Sequence, residues 1–421
     1  MARDSFLPVI LGGDINAYSL ARAFHEQYGI KSLVLSQVKS HMFSDSEILE
    51  NVIVPHLDTK EHMVPHLIGV AKAHPDHKLL LLACGDWYVR LVVENSEALK
   101  SYYILPYIDE ALLHQLVSKE SFYQICEKHQ VPHPKTWYHD TRDPQAFQRL
   151  ADFDLSFPVV AKPASTADYH YAQFADKKKV YFFDDMASLK EMLSRLQQSS
   201  YKNIFLLQEF IPGDDTQMRI LTTYSDKTGK VRFAAFGQTL LEDKRPMAIG
   251  NPVAIVSRVN EQVVADAIRL LEAVGYTGFA NFDIKVDPRT GQHYFFEINT
   301  RLGRSNYYVT GSGFNVAPWM VDELIEGKTY EGDVVMADRE SLYTVVPKAT
   351  ILEYVKDPEL VVEVKRLYRE GKVANPIKYP GEPSFVRREI YPHISCLSST
   401  RRFARRLSRR RLGVSRRLAR R

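Results

Sequence analysis

Apolar runs punctuated by glycine open the chain. Pro8 to Leu11 leads into Gly12-Gly13-Asp14-Ile15-Asn16, then a helical stretch from Ala17 to Tyr28 and another apolar run from Lys31 to Leu35. The order strand, glycine turn, helix, strand predicts the beginning of an α/β unit. Leu79 to Cys84 predicts a further strand, which ends on Gly85-Asp86. Ligands of open α/β sheets bind outside the carboxyl ends of the strands, where Gly12 to Asn16 and Gly85-Asp86 would lie. The first turn departs from GxGxxG, which argues against a dinucleotide site; a plain strand-to-helix turn and a substrate contact both stay open.

The pattern changes after residue 115. An amphipathic helix begins near Ser118 and is broken by Val131-Pro132-His133-Pro134. Strands are predicted at Phe157 to Pro163, Lys179 to Phe183 and Ile204 to Phe210, with helices at Met186 to Leu196 and Val259 to Val274. Hairpins are predicted across Asp226 to Lys230 and from Phe279 to Asn299. Helices mixed with antiparallel hairpins predict α+β lobes rather than one doubly wound sheet. The expected divisions are an α/β domain over 1–115, a two-lobed domain over 116–335, a smaller mixed segment over 336–400 and a basic tail over 401–421.

With 421 residues, 45% apolar and 25% charged, the chain can bury more than one core and has ordinary globular usage. Cys84, Cys126 and Cys396 are far apart and form no CxxC, which argues against a disulfide framework or a zinc site and suits a reducing compartment. The apolar run Phe6 to Leu11 is too short for a signal-peptide core, and no run approaches the roughly 18 apolar residues of a membrane span. A cytoplasmic protein is expected. The net charge is +4, yet the last 21 residues hold eleven arginines and no acid, so that taking them away leaves −7 on the body.

The second hairpin carries the clearest chemistry. If its turn is centred near Thr290, Asp283 falls opposite Glu297, and strand alternation puts Glu297, Asn299 and Phe295 on one face. Two opposed carboxylates repel and call for a cation between them. Mg²⁺ suits such a pair, since it takes oxygen ligands from one or two carboxylates and fills the rest with water and phosphate. The alternative is that Lys285 or Arg301 neutralises a solvated face.

Asp283 followed by Glu297-x-Asn299-x-Arg301 resembles the metal-binding signature of the ATP-grasp superfamily. The resemblance implies an ATP-grasp fold, of mixed α/β and α+β class, behind an N-terminal Rossmann-like domain. It implies that Asp283, Glu297 and Asn299 bind Mg²⁺, as two ions bridged by Glu297 and with Mn²⁺ as a possible substitute. Arg301 would stabilise charge on the transferred phosphoryl group. Asn281 stands where several relatives place an arginine.

ATP binding needs cations and an adenine clamp, and both occur upstream. Lys162 ends the apolar run from Phe157, and Lys119 follows Ser118, a plausible N-cap. A cation in the first helical turn opposes the helix dipole by about 0.3–1 kcal/mol, a conflict that an anionic partner removes. Solvated surface lysines are the alternative for both. The family implies phosphate contacts for Lys119 and Lys162. It implies backbone contacts to adenine around Gln208, Glu209, Phe210 and Ile211, and places Asp215 at the ribose. The loop Pro163 to His170 lacks the glycines that many relatives fold over the triphosphate.

Gly303, Arg304 and Ser305 open a donor-rich loop suited to a carboxylate or an acyl phosphate, and Lys244 could approach the same cleft or remain a solvated strand end. The reaction implied is ATP-dependent amide formation between a carboxylate and an amine; a nucleotide-binding module without chemistry is the alternative. At finer grain, Gly12 to Tyr18, Asn281 to Lys285 and Phe296 to Tyr308 resemble bacterial D-aspartate ligases. That resemblance implies D-aspartate as amino-acid substrate and, as amine acceptor, the lysine side chain of a peptidoglycan precursor. In the tail, Phe403, Leu407, Val414 and Leu418 fall on one helical face amid arginines, which suits an anionic membrane surface. Nucleic acid is the weaker rival, and a solvated tail is the plain alternative.

Overall fold

The computed structural model describes residues 5–382 apart from 44, 165–168, 170–171, 175, 179, 246–247 and 249. The arginine-rich segment 401–421, Cys396 and most of the loop from Ser165 to His170 therefore lie outside the described residues. Cys84 and Cys126 are free and buried. No helix among the described residues is long and apolar enough to cross a membrane.

The first sheet is parallel, in the order β3-β2-β1-β4-β5. Its strands are β1 (Phe6–Leu11), β2 (Ser32–Ser36), β3 (Leu49–Ile53), β4 (Lys78–Ala83) and β5 (Tyr103–Ile104). Continuous apolar runs such as Leu79 to Leu82 suit it because a parallel sheet is covered on both faces. Helix Ile15–Tyr28 starts where Asp14 accepts from the amide of Asn16 and stops at Gly29 in the left-handed region, φ 69°. The outcome is the expected α/β unit, with Gly12-Gly13-Asp14 and Gly85-Asp86 side by side at the carboxyl ends of β1 and β4.

A four-stranded antiparallel sheet follows, in the order β6-β9-β7-β8, from β6 (Thr136–Asp140), β7 (Val159–Pro163), β8 (Tyr181–Phe183) and β9 (Ile204–Glu209). Helix Met186–Gln198 packs Leu189, Met192, Leu193 and Leu196 beneath it, which gives this lobe its own apolar cluster. The third sheet has the order β14-β13-β10-β11-β12-β16-β17, with β15 alongside β11. It comprises β10 (Met218–Ser225), β11 (Val231–Glu242), β12 (Pro252–Arg258), β13 (Gly278–Val286), β14 (His293–Asn299), β15 (Val335–Met336), β16 (Leu342–Thr344) and β17 (Val373–Ala374). The residues after Met336, expected as a smaller mixed segment, thus extend this sheet: β16 pairs with β12, and β17 with β16.

The chain then returns to the first domain. Arg22 donates to the carbonyls of Asn375 and Pro376, and the Glu382 carboxylate accepts from the Tyr18 hydroxyl at 2.6 Å. This return fixes the first sheet against the third, and both contribute to the same two apolar clusters.

Candidate active site

β13 and β14 pair with Asp283 directly opposite Glu297 and Asn281 opposite Asn299. That register matches the expectation from the turn. The faces differ from it, because a bulge follows Asp283: Ile284 pairs with Phe295, which leaves Phe296 as the additional residue. An extra residue reverses the alternation on its strand. Phe295 is therefore in the core instead of beside Glu297, and Phe296 and Glu297 both line the cleft. The sequence shows three consecutive aromatics, Tyr294 to Phe296, which do not tell which of them is the extra residue.

The cleft has a volume of 390 Å³ and is walled by Lys119, Lys162, Val180, Met218, Glu242, Asp283, Phe296 and Glu297. Lys119 begins helix Lys119–Lys128, whose N-cap Ser118 accepts from the amide of Ser121. Its ammonium donates to Glu297 Oε2 at 2.8 Å. Lys162, on β7, donates to Gln208 Oε1 at 2.9 Å, and Gln208 in turn donates to Thr136 Oγ1 at 2.9 Å. The side chain of Gln208 is thus the part engaged with the cleft. Its backbone lies in the ladder between β6 and β7, and the Glu209 amide is spent on the Lys135 carbonyl at 2.9 Å. The ladders end at Glu209, so that Phe210 and Ile211 carry the chain out of the sheet toward Gly213.

The carboxylates are electrostatically unequal. Burial, with the neighbouring Glu297 charge, pushes the Asp283 carboxyl well above the usual range. Lys119 holds Glu297 down to about 2. Asn299 donates weakly to Asp283 Oδ2 at 3.4 Å. Burial pushes Lys162 down to about 7, and Lys119 adds to this. An acid whose charged form is disfavoured beside one whose charged form is favoured, facing two lysines across a cleft, suits a cation on the acidic wall and an anion on the basic wall. Mg²⁺ and a triphosphate answer that description, and the oxygen donors of Asp283, Glu297 and Asn299 suit the ion.

Residues along β13 order the rest of the cleft. At one end Lys285 pairs with Met218 and stands near Asp214, Asp215 and Glu242. There the Asp215 carboxylate accepts from the Glu242 amide at 3.0 Å and from the Lys244 ammonium. At the other end Asn281 packs on Gly303, where an added Cβ would lie 2.8 Å from Asn281 Oδ1. Four residues of strand, roughly 13 Å, separate the ends. Lys244 therefore does not share the Gly303-Arg304-Ser305 loop as expected, because the Asp215 charge holds it at the opposite end. Within that loop Gly303 and Ser305 are buried, and Arg304 presents its side chain.

Two ion pairs tie this end to the first domain. Arg301 Nε lies 2.8 Å from Asp86 Oδ1, and its Nη2 donates to Asn299 Oδ1 at 3.3 Å. Arg304 Nε donates to Asp14 Oδ2 at 3.0 Å. Asp14 and Asp86, at strand ends where the sequence leaves a plain turn and a substrate contact both open, have these partners 290 and 215 positions away.

Residues 248–320 match the family described as carbamoyl-phosphate synthase L chain, ATP binding domain. The chain is 34% identical over 392 residues to the D-aspartate ligase of Enterococcus faecium (strain Aus0004), covering 91% of this chain and 93% of that one. Among solved structures it is similar to the biotin carboxylase domain of the Hydrogenobacter thermophilus 2-oxoglutarate carboxylase in complex with MgADP, with TM-score 0.57, 12% identity and coverage of 80% and 73%. It is also similar to the biotin carboxylase of Campylobacter jejuni, with TM-score 0.56, 16% identity and coverage of 79% and 73%. At those identities the structures speak for the fold, an ATP-grasp fold behind a Rossmann-like domain, and the sequence relative speaks for the lineage. The chain belongs to the D-aspartate ligase family of ATP-grasp enzymes, carboxylate–amine ligases that use ATP and Mg²⁺.

Proposed function

We propose that this enzyme joins the side-chain carboxylate of D-aspartate to the lysine ε-amine of a peptidoglycan precursor, releasing ADP and phosphate. The observation that carries the reading is the pair Asp283 and Glu297, opposed in register in one cleft with Lys119 and Lys162. The choice of amino acid and acceptor leans on the D-aspartate ligase of Enterococcus faecium.

In this reading Asp283, Glu297 and Asn299 would hold Mg²⁺, two ions in all, with Mn²⁺ able to substitute. When bound, the metal neutralises triphosphate charge. Lys119 and Lys162 meet the phosphates, and Gln208 aims Lys162. The chain at Phe210 and Ile211, with the Glu209 carbonyl, faces adenine, and Asp215 takes the ribose hydroxyls with Lys244 beside it. Catalysis is then positioning plus charge neutralisation. A carboxylate oxygen of the amino acid attacks the γ-phosphorus and ADP departs. Arg301, held by Asp86 and Asn299, stabilises the charge of the phosphoryl group in flight, and Arg304 with the Gly303 to Ser305 loop seats the acyl end. The amine nitrogen then bonds to the acyl carbon as the bond to phosphate breaks.

We place the enzyme in the cytoplasm, with the basic segment 401–421 drawing it to the inner face of an anionic membrane where wall precursors are assembled. Phosphate release with a panel of D- and L-amino acids, Mg²⁺-ATP and a lysine-containing stem peptide tests the reading. D-aspartate should give the highest rate. Release with another amino acid and none with D-aspartate would leave the ligase standing and overturn the substrate.

A further inference from the structure

A second pocket, of 360 Å³, lies at the carboxyl ends of β1, β2 and β4. Its walls are Gly12 to Asp14, Ser36 to Val38 and Cys84, Trp87 and Tyr88, and none of these residues lines the nucleotide cleft. The volume is in the range of small-molecule sites. Its lining mixes polar and apolar groups. The Asp14 carboxylate is half-buried, and the Gln37 amide donates to the Tyr88 hydroxyl at 3.3 Å. Beside them stand Trp87 and Val38, 57% and 69% exposed. An indole left this open beside an exposed aliphatic is costly in water and is typical of surfaces that receive a ligand.

The pocket adjoins the reacting end of the cleft. Asp86, next to Trp87 in the chain, holds Arg301, and Asp14 in the pocket wall holds Arg304 at 3.0 Å. A ligand filling the pocket would meet Asp14, the partner of Arg304. In the ligase reading the nucleotide lies in the cleft of Lys119, Lys162 and Glu297, so that the second reactant has the side of the Gly303 to Ser305 loop facing the first domain left from which to reach the acyl carbon.

We propose that this pocket is the acceptor site, and that it takes a lysine-bearing peptide: the ammonium meets Asp14 and the peptide body lies against Trp87 and Val38. The proposal rests on the ligase reading above. Ammonia or a small free amine would leave Trp87 and Val38 without a partner, whereas a peptide covers them while its ammonium meets Asp14. In the transfer the lysine nitrogen bonds to the acyl carbon, the acyl carbon–oxygen bond breaks, and phosphate leaves with the electron pair. Of the two protons the ammonium sheds, one goes to the phosphate and one to water.

The test uses the full-length enzyme with two nucleophiles. Hydroxylamine traps the acyl phosphate as a hydroxamate without needing an acceptor pocket; a lysine-containing stem peptide does need it. Trp87→Ala and Val38→Ser, both at exposed positions, should each raise KM for the peptide at least tenfold while KM for the amino acid, read with hydroxylamine, shifts less than twofold. Equal rises in both KM values, or an unchanged peptide KM, would overturn the acceptor site. So would a wild-type enzyme that makes hydroxamate but never couples the peptide. Absence of hydroxamate with every amino acid would instead overturn the ligase reading itself.

Discussion

Two aspartates four positions apart on the β13–β14 hairpin respond to the protein in opposite ways. Asp287, at the turn, accepts from the amide of Arg289 at 2.8 Å and from its guanidinium at 2.9 and 2.6 Å, which holds its carboxyl below the usual range. Asp283, in the cleft, faces another acid and is pushed far above it. The same device, an arginine two residues beyond an aspartate, recurs at Asp140–Arg142 and Asp243–Arg245. These pairs are complete in themselves. The cleft acids are not, and the contrast separates a carboxylate that shapes a turn from one that awaits a ligand.

Breaking the cleft side should have the largest effect. Glu297→Ala should lower turnover by about a thousandfold, the scale on which single transition-state electrostatic groups act. Far-UV circular dichroism should stay as in the wild type; a variant that keeps full turnover would make Glu297 a surface acid like the others.

Lys162 comes next. Its free-enzyme value of about 7 means that it is charged below neutrality and loses its proton as pH rises. ATP affinity should therefore be highest below pH 7 and decline above it, and phosphate binding should draw a proton onto the lysine. Lys162→Met should weaken ATP binding about a hundredfold and flatten this decline, since a charge-assisted hydrogen bond is lost at every pH. Titration of ATP at several pH values reads both.

Gln208→Ala leaves Lys162 without the acceptor at 2.9 Å and should raise KM for ATP about tenfold with kcat little changed. At the small end, Arg289→Ala removes only the turn's own pairing. It should change kcat and KM less than twofold, and a larger loss would show that the turn pair communicates with the cleft.

What the sequence disclosed follows from the range of the interactions. The hairpin's register was legible because a short turn counts residues, so Asp283 and Glu297 could be matched by position alone. Ser118 as N-cap was legible for the same local reason. The bulge at Phe296 was not, because an extra residue is decided by how Phe295 packs against Phe282 in the core, 5.3 Å between rings. Nor were Asp14–Arg304, Asp86–Arg301 or the support of Lys162 by Gln208. The first two join separate sheets and the third joins neighbouring strands of one sheet, and periodicity carries no information about which strands or strand ends come to face each other.

Calorimetric titration of a non-hydrolysable ATP analogue, with and without Mg²⁺, tests the central claim most directly, because it reads the metal without requiring turnover. Wild-type enzyme should lose at least tenfold in affinity when Mg²⁺ is removed, and the Asp283→Asn, Glu297→Gln double variant should bind weakly and equally in both conditions. A double variant that retains the full Mg²⁺ dependence would contradict the account, since the ion would then be held elsewhere.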